Sequence, residues 1–460
     1  MRIQTRPGCR GSTLLIALLT AAFIGLALAS HLWLVSHQNL SVMRSLAWNS
    51  AIPVVEAGVE EALTQLHYNN VDNLSANSWT ALASGWYSKQ HYVGSAAYYD
   101  VAIKQVDPPE TTGPVIVSTA YVPAPFGPAS SSGMVLSQVV APSSSPSVKR
   151  RVRVNTAKKP LFAAAMLAKG SIDMSGNNVS TDGFDSSDWH YSTNGQYDPT
   201  KNKATGDVGT NLDVVDSIGV GNANIKGHVA TGPGGTVTMQ ANGSVGDLAW
   251  VNSGTPGIKD GWATDDMHAE ILDVTEPFTS GYNTPGSQSV SNINYDYVLD
   301  HSGNYKLSNF SGKVLISPSV NATLWVTDSL NFGPNDYILL APGASLKLYV
   351  SAPTATIGGS GIINSDNYAV NFQYYGLPGN TSFTFKANAS FTGAIYAPEA
   401  DFSLGGGGKN IYDFVGACVV NTVKLNGHYN FHFDEALRKA LYNGYVVTAW
   451  NEVDPNPPLN

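Results

Sequence analysis

Two groups of acidic side chains are the best candidates for chemistry in this chain of 460 residues. They are Asp182, Asp185 and Asp188, followed by Asp265, Asp266, His268 and Glu270. Carboxylates that converge in space could bind Ca²⁺ through their oxygen atoms, or act as the acid and base that cleave a glycosidic bond. The first group lacks the residue order of an EF-hand loop, and a solvated loop is its alternative. The second group lies in a loop-like stretch, residues 258–278, which favours a surface over a site.

The usual sequence signatures of enzymes are missing. His268 does not belong to a His-Glu-x-x-His zinc pattern, and there is no Gly-x-Ser-x-Gly elbow and no dinucleotide fingerprint. The glycine run 405–408 is followed by Lys409 and Asn410, so it lacks the Ser or Thr of a phosphate loop. We therefore predict no catalytic residue, no metal and no cofactor. A secreted or anchored carbohydrate-active β-helix enzyme is the alternative function.

Charge and cysteine content exclude other classes of protein. The formal net charge is -9, and clustered Lys and Arg are needed to bind phosphates, so no nucleic-acid partner is predicted. The one dense basic run, residues 149–153, alternates with valines and predicts a strand with one solvated face. The two cysteines, Cys9 and Cys418, cannot form a disulfide framework, and Cys418 is predicted to be a small buried residue.

The N-terminus has the pattern of a membrane-inserted segment. Arg2, Arg6 and Arg10 form a basic leader, and residues 11–43 contain no charged residue. At about 1.5 Å per residue, residues 14–35 would span about 33 Å as a helix, which matches a bilayer. Its large apolar residues are Leu14, Leu15, Ile16, Leu18, Leu19, Phe23, Ile24, Leu26, Leu28, Leu32, Trp33, Leu34 and Val35. Because positive charge stays in the cytoplasm, the remainder of the chain is predicted outside.

Three interpretations of this segment are open. Ala27-Leu28-Ala29 before Ser30 fits cleavage by signal peptidase, and an uncleaved signal anchor also explains the apolar length. The third comes from the run Gly11-Ser12-Thr13-Leu14-Leu15 and the apolar residues after it, which resembles the start of type IV prepilins, PilX-like minor pilins in particular. That resemblance implies that prepilin peptidase cuts after Gly11, which leaves Ser12 as the new N-terminus. Ile16 stands where most major pilins have Glu, so a minor or specialised subunit is implied.

The helical pattern continues beyond the apolar segment. Apolar residues recur at the i, i+3 and i+4 positions of an amphipathic helix, namely Leu40, Met43, Leu46, Ala47, Val54, Val55, Gly58, Val59, Ala62, Leu63 and Leu66. Pro53 interrupts the pattern and predicts a kink, after which the helix continues. The stretch 55–63 also resembles the Ala-Glu-Ala-Gly-x-Glu-Glu-Ala-Leu run of such proteins, and Glu56, Glu60 and Glu61 are predicted to be solvated.

The rest of the chain is predicted to be mainly β. Gly reaches 45 residues and charged residues only 13%, a composition typical of turn-rich β structure. We predict a leader at 1–11, a transmembrane and stalk helix at 12–67, a small β or α+β linking module at 68–160, and a large domain at 161–460. Short apolar runs in that domain favour a right-handed parallel β-helix-like solenoid, with a helical cap at 434–441. A β-sandwich is the alternative fold.

The last third carries a second resemblance. The runs 389–398, 415–417, 425–427 and 432–437 are similar to a C-terminal domain of unassigned function that follows pilin-like openings in large bacterial surface proteins. The resemblances imply a membrane-anchored, surface-exposed structural or adhesive protein, in a type IV pilus-like or pseudopilus assembly. Expected partners are the membrane, prepilin peptidase, other pilin-like subunits and a surface glycan or host ligand. The expected location is a single pass through the inner membrane, with the bulk periplasmic or at the cell surface.

Overall fold

The computed structural model describes residues 10–69, 74–82, 85–94, 96–104, 113–124, 147–176, 179–406, 410–426 and 428–457. The chain forms two compact units, Met1–Lys159 with Asn443–Asn460, and Pro160–Tyr442. Residues 1–9 of the predicted leader, and residues 407–409 at the end of the glycine run, lie outside the described residues.

Among its described residues, the first part of the chain contains one long helix and five strands. Helix α1 runs Arg10–Asn69 and includes Pro53. The strands are β1 (Thr80–Ala81), β2 (Trp86–Val93), β3 (Ala97–Lys104), β4 (Val115–Pro123) and β5 (Ser147–Pro160). The basic run at 149–153 lies in β5, so the prediction of a strand there is confirmed.

Most strands among the described residues of the second unit are short. The first are β6 (Met166–Ala168), β7 (Ile172–Asp173), β8 (Ser180–Phe184), β9 (Val208–Thr210), β10 (Ile218–Gly221), β11 (Asn224–Lys226), β12 (Val229–Ala230), β13 (Val237–Met239), β14 (Ser244–Gly246), helix α2 (Leu248–Asn252), β15 (Gly257–Ile258) and β16 (Ala263–Thr264). The next are β17 (Gly286–Val290), β18 (Ile293–Leu299), β19 (Gly303–Phe310), β20 (Lys313–Ile316), β21 (Asn321–Asn331), β22 (Tyr337–Leu340), β23 (Ser345–Val350), β24 (Thr354–Ile357), β25 (Ile362–Asn364), β26 (Phe372–Gly376), β27 (Ser382–Phe385), β28 (Phe391–Leu404), β29 (Tyr412–Leu425) and β30 (Tyr429–Asp434). Helix α3 (Ala436–Ala440) and strand β31 (Tyr442–Val453) end the chain.

The first unit is one sheet with α1 on one face. Its strand order is β1-β2-β3-β4-β5-β31, and β1 to β5 pair antiparallel. The part of α1 that packs on the sheet presents Ala47, Ala51, Val54, Val55, Val59, Ala62 and Leu66, all buried. Gly58 permits this close approach, because a Cβ atom there would lie 2.9 Å from Cδ2 of Tyr99 and 2.3 Å from Oγ of Ser118.

Strand β31 corrects the predicted domain boundary. The large domain was expected to continue to residue 460, but β31 is hydrogen-bonded beside β5 in the sheet of the first unit. The chain therefore leaves this sheet at β5, forms the whole second unit and returns. The two ends of the second unit lie side by side, since the amide of Leu161 donates to the carbonyl of Leu441 at 2.9 Å.

The large sheet of the second unit is a stack of parallel strands. A smaller sheet of the same unit, β17-β18-β20-β22-β25, is parallel except for the antiparallel pair β17–β18. Neighbouring strands of the large sheet place side chains in register, so that one buried row runs through Tyr305, Leu324, Leu348, Tyr374, Ile395, Cys418, Met166, Val208 and Val229. Cys418 is fully buried in this row, as predicted. A β-sandwich is built from antiparallel sheets. The pairings of the large sheet are parallel, so the alternative fold is wrong.

The order of strands in this stack differs from the order in the chain. The first strands of the unit pair with nearly the last, as β29 pairs with β6 and β7, and β30 with β8. The segment 265–285 connects β16 to β17. The strands that follow β17 lead back to the first strands of the unit, where β30 pairs with β8. Helix α3 follows a strand that has a neighbour on both sides, so the cap predicted at 434–441 does not close an end of the stack.

Candidate functional site

The first half of α1 is an apolar surface with no protein cover. Every large apolar residue predicted to span the membrane is exposed, from 36% at Val35 to 73% at Leu14. The helix contains a window with a mean hydropathy of 2.3 of which no part is buried. By length and composition it can cross a membrane once, although a signal sequence would have the same properties.

Large apolar residues are also exposed beyond the predicted span, after the polar residues 36–39, which the sequence pattern did not reveal. Val42, Met43, Leu46, Trp48 and Ile52 are between 39% and 62% exposed. Leu40, Met43 and Leu46 were expected to share one stripe with the residues after them, yet the buried part of α1 starts at Ala47. At about 1.5 Å per residue, residues 14–52 extend about 57 Å, against about 30 Å for the hydrocarbon core of a bilayer.

The predicted processing and kink residues all lie in this helix. Gly11 and Ser12 belong to its first turns, and Ile16 is 59% exposed. The helix continues through Pro53, while the bend at that residue stays a prediction.

Glu61 is a contact residue rather than a solvated one. The hydroxyl of Tyr99 donates to its carboxylate at 2.6 Å, and Nζ of Lys89 lies 2.9 Å from it. Burial opposes ionisation of Glu61, but these two contacts outweigh it, and its pKa is lowered. Glu56 and Glu60 are exposed, as predicted. The glutamate therefore ties α1 to strands β2 and β3.

The two acidic groups from the sequence do not form one site. Asp182 and Asp185 are buried, so the solvated-loop interpretation is wrong for them, whereas Asp188 is half-buried. Asp265, Asp266, His268 and Glu270 are exposed in an irregular stretch. Within the part of the chain that the structure describes, no group of three or more His, Cys, Asp or Glu side chains could hold a metal ion.

Asp182 instead belongs to a buried ion-pair cluster. Its carboxylate is 2.6 Å from Nδ1 of His432, whose Nε2 is 3.3 Å from Asp413. Tyr197 stacks on the imidazole with ring centroids 3.6 Å apart and donates its hydroxyl to Asp182 at 2.8 Å. Both side chains of the Asp182–His432 pair are 5% exposed.

The electrostatics of this cluster favour its charged form. Burial lowers the pKa of His432, but the hydrogen bonds and charges of the two aspartates outweigh burial and raise it. The same contacts keep the pKa of Asp182 low against burial. Both imidazole nitrogens face carboxylates, so the cluster holds β8, β29 and β30 together and offers no free base. Because 250 residues separate Asp182 from His432, no local sequence signal could have found it.

Comparison with known proteins adds one match. Residues 275–440 match the model of a family described as a domain of unknown function (DUF7305). No curated protein and no solved structure matches the chain. The matched segment contains strands β17 to β30. It includes the runs 389–398, 415–417 and 432–437, which belong to the second sequence resemblance.

Proposed function

We propose that this protein is a membrane-anchored, surface-exposed, pilin-like structural or adhesive subunit. Residues 14–35 cross the inner membrane once, with both compact units outside the cytoplasm. Processing by prepilin peptidase after Gly11 leaves Ser12 as the N-terminus. The neighbours of the mature protein are other pilin-like subunits in a type IV pilus-like or pseudopilus assembly.

The observation that carries this proposal is the exposed apolar surface at Val42, Met43, Leu46, Trp48 and Ile52. Lipid covers only about 30 Å of a helix, so these side chains would face water in an isolated anchored subunit. Covering a large apolar side chain yields about 1.5–3 kcal/mol. Helices of neighbouring subunits supply that cover, whereas a simple anchor gives no reason for it.

We further propose that the second unit is a right-handed parallel β-helix. Its parallel rows, which recur once per turn of the chain, support this fold. Parallel strands in one sheet are joined by right-handed crossovers in nearly all known cases. A carbohydrate-active enzyme is less well supported, since Asp182 is buried in an ion pair with His432, whereas Asp265 and Asp266 are exposed in an irregular stretch.

The intact mass of the protein from the membrane fraction of a cell that has prepilin peptidase tests this proposal. We expect a chain that starts at Ser12, and an uncut chain for Gly11→Val, because the resemblance places the cleavage after Gly11. Gly8→Val is the matched control in the leader and should be processed normally. A start at Ser30 or at Met1 would contradict the pilin-like assignment.

Paired lysine substitutions test where the membrane span ends. Ile24→Lys with Leu28→Lys should shift the protein into the extractable fraction after alkaline carbonate treatment, because each charge near the bilayer centre costs about 3 kcal/mol. Val42→Lys with Leu46→Lys is the matched pair outside the span, and we expect it to stay in the membrane pellet. Equal extraction of both variants would contradict a span at residues 14–35.

A further inference from the structure

The sheet of the first unit has a second face, away from α1, on which side chains stand in cross-strand rows. Gln90, Asp100, Thr119 and Arg151 are register partners across β2, β3, β4 and β5, and we call them the polar row. One row further along the strands come Tyr92, Tyr98, Tyr121 and Lys149, which we call the tyrosine row. Rows on one face of a strand are about 7 Å apart, close to the width of a sugar ring.

The polar row lies in a groove. A cavity of about 300 Å³ is lined by the whole row, with Ala102 and Val117 as an apolar floor and Tyr121 at one side. The tyrosine row is stacked, with 4.4 Å between the ring centroids of Tyr98 and Tyr121, and Nζ of Lys149 lies 5.3 Å from the ring of Tyr121. The volume is that of a small-ligand site.

Contacts inside the row position its charged groups and leave hydrogen-bonding capacity. Gln90 donates to Asp100 at 2.8 Å, and Nε of Arg151 donates to Oγ1 of Thr119 at 2.8 Å. A second guanidinium donor, Nη1, contacts the carbonyl of Pro457 at 2.5 Å. A guanidinium has five N–H donors and a carboxylate about four acceptor positions. Asp100 and Arg151 therefore present an acceptor and a donor on either side of Thr119.

The chemistry of these groups selects the ligand. The polar row carries one negative and one positive charge, and Lys89, which also lines the cavity, is paired with Glu61 at 2.9 Å. The charges of the lining are therefore balanced by partners, and the cavity offers little net attraction to an ion of either sign. Vicinal hydroxyls donate to a carboxylate and accept from a guanidinium at the same time, and the C–H face of a pyranose suits the aromatic and apolar surfaces beside them. We propose that the groove binds a neutral saccharide. The inference rests on the surface exposure of the proposed function and gives its adhesive role a ligand class.

Saturation-transfer difference NMR on the full-length protein in lipid nanodiscs tests the site. The probes are the methyl pyranosides of glucose, galactose, mannose and N-acetylglucosamine. We expect saturation transfer to at least one of them. Arg151→Gln and Tyr121→Leu should each raise its Kd about tenfold or more, because each removes charged hydrogen bonds or the aromatic surface.

Arg153→Gln is the matched control, since Arg153 lies on the same strand and face but does not line the cavity. Its Kd should equal that of the unchanged protein. Saturation transfer to none of the four probes overturns the proposal, as does binding that Arg151→Gln and Tyr121→Leu leave unchanged. Tighter binding of the zwitterionic dipeptide Ala-Ala at the same residues also overturns it, in favour of a peptide site. The measurement does not depend on whether the chain starts at Met1 or Ser12, so its failure is separable from failure of the pilin-like assignment.

Discussion

Gly416→Ala should prevent the second unit from reaching its native packing. Gly416 pairs in register with Gly393 between β28 and β29, and a Cβ atom at residue 416 would lie 1.8 Å from the carbonyl oxygen of Gly393. Its φ of +141° is also unfavourable for a residue with a side chain. Because the obstacle is backbone, it cannot rotate away. We expect a loss of about 3 kcal/mol or more, the upper range for overpacking.

Thermal unfolding of full-length protein in detergent measures this effect. Gly219→Ala in β10 is the matched control, because its nearest contact would be an ordinary 3.8 Å to the carbonyl oxygen of Ile172. A loss of about 3 kcal/mol should lower the Tm by about 5 °C in a unit of this size. If Gly416→Ala and Gly219→Ala had the same Tm, the close pairing of β28 and β29 would be contradicted.

His432→Gln should destabilise the second unit by about 3–5 kcal/mol, since it leaves Asp182 buried without its charged partner. Both side chains of that pair are 5% exposed, and Lys226, at 3.6 Å, is the remaining cation near Asp182. His190→Gln is the matched control, because the His190–Asp188 pair has 59% and 38% exposure and faces solvent. It should unfold like the unchanged protein.

The stability of this cluster should also depend on pH. A raised His432 pKa means that its contribution is fully present below the ordinary value of 6.5 and is lost as pH rises through the folded value. The lowered pKa of Asp182 acts at the other end, where stability is lost as pH falls through its folded value. The Tm of the unchanged protein should therefore fall above about pH 6.5, and the Tm of His432→Gln should lack this fall. Equal pH profiles would show that His432 is not held as a cation.

Some features of the fold follow from short-range patterns and could be predicted. The apolar run from Leu14 to Val35 and the i, i+3, i+4 spacing after it require a helix, and short apolar runs between Gly and Asn require short strands. The burial of Cys418 in an apolar run follows in the same way. Gly393 and Gly416 lie in the runs 389–398 and 415–417 of the second sequence resemblance, but only their paired backbones explain why both lack a side chain.

The sequence by itself determined a long helix with an apolar first half, a β-rich remainder and the absence of a local catalytic motif. Tertiary structure decided which apolar turns are covered, so that Ala47 is buried while Leu46 is exposed, although both continue one helical pattern. It also decided that β29 pairs with β6, that β31 returns to the first sheet, and that Asp182 meets His432. The physical reason is that strand pairing uses backbone groups common to all residues. Its partners are therefore set by the packing of the whole chain and carry no signal in the local sequence.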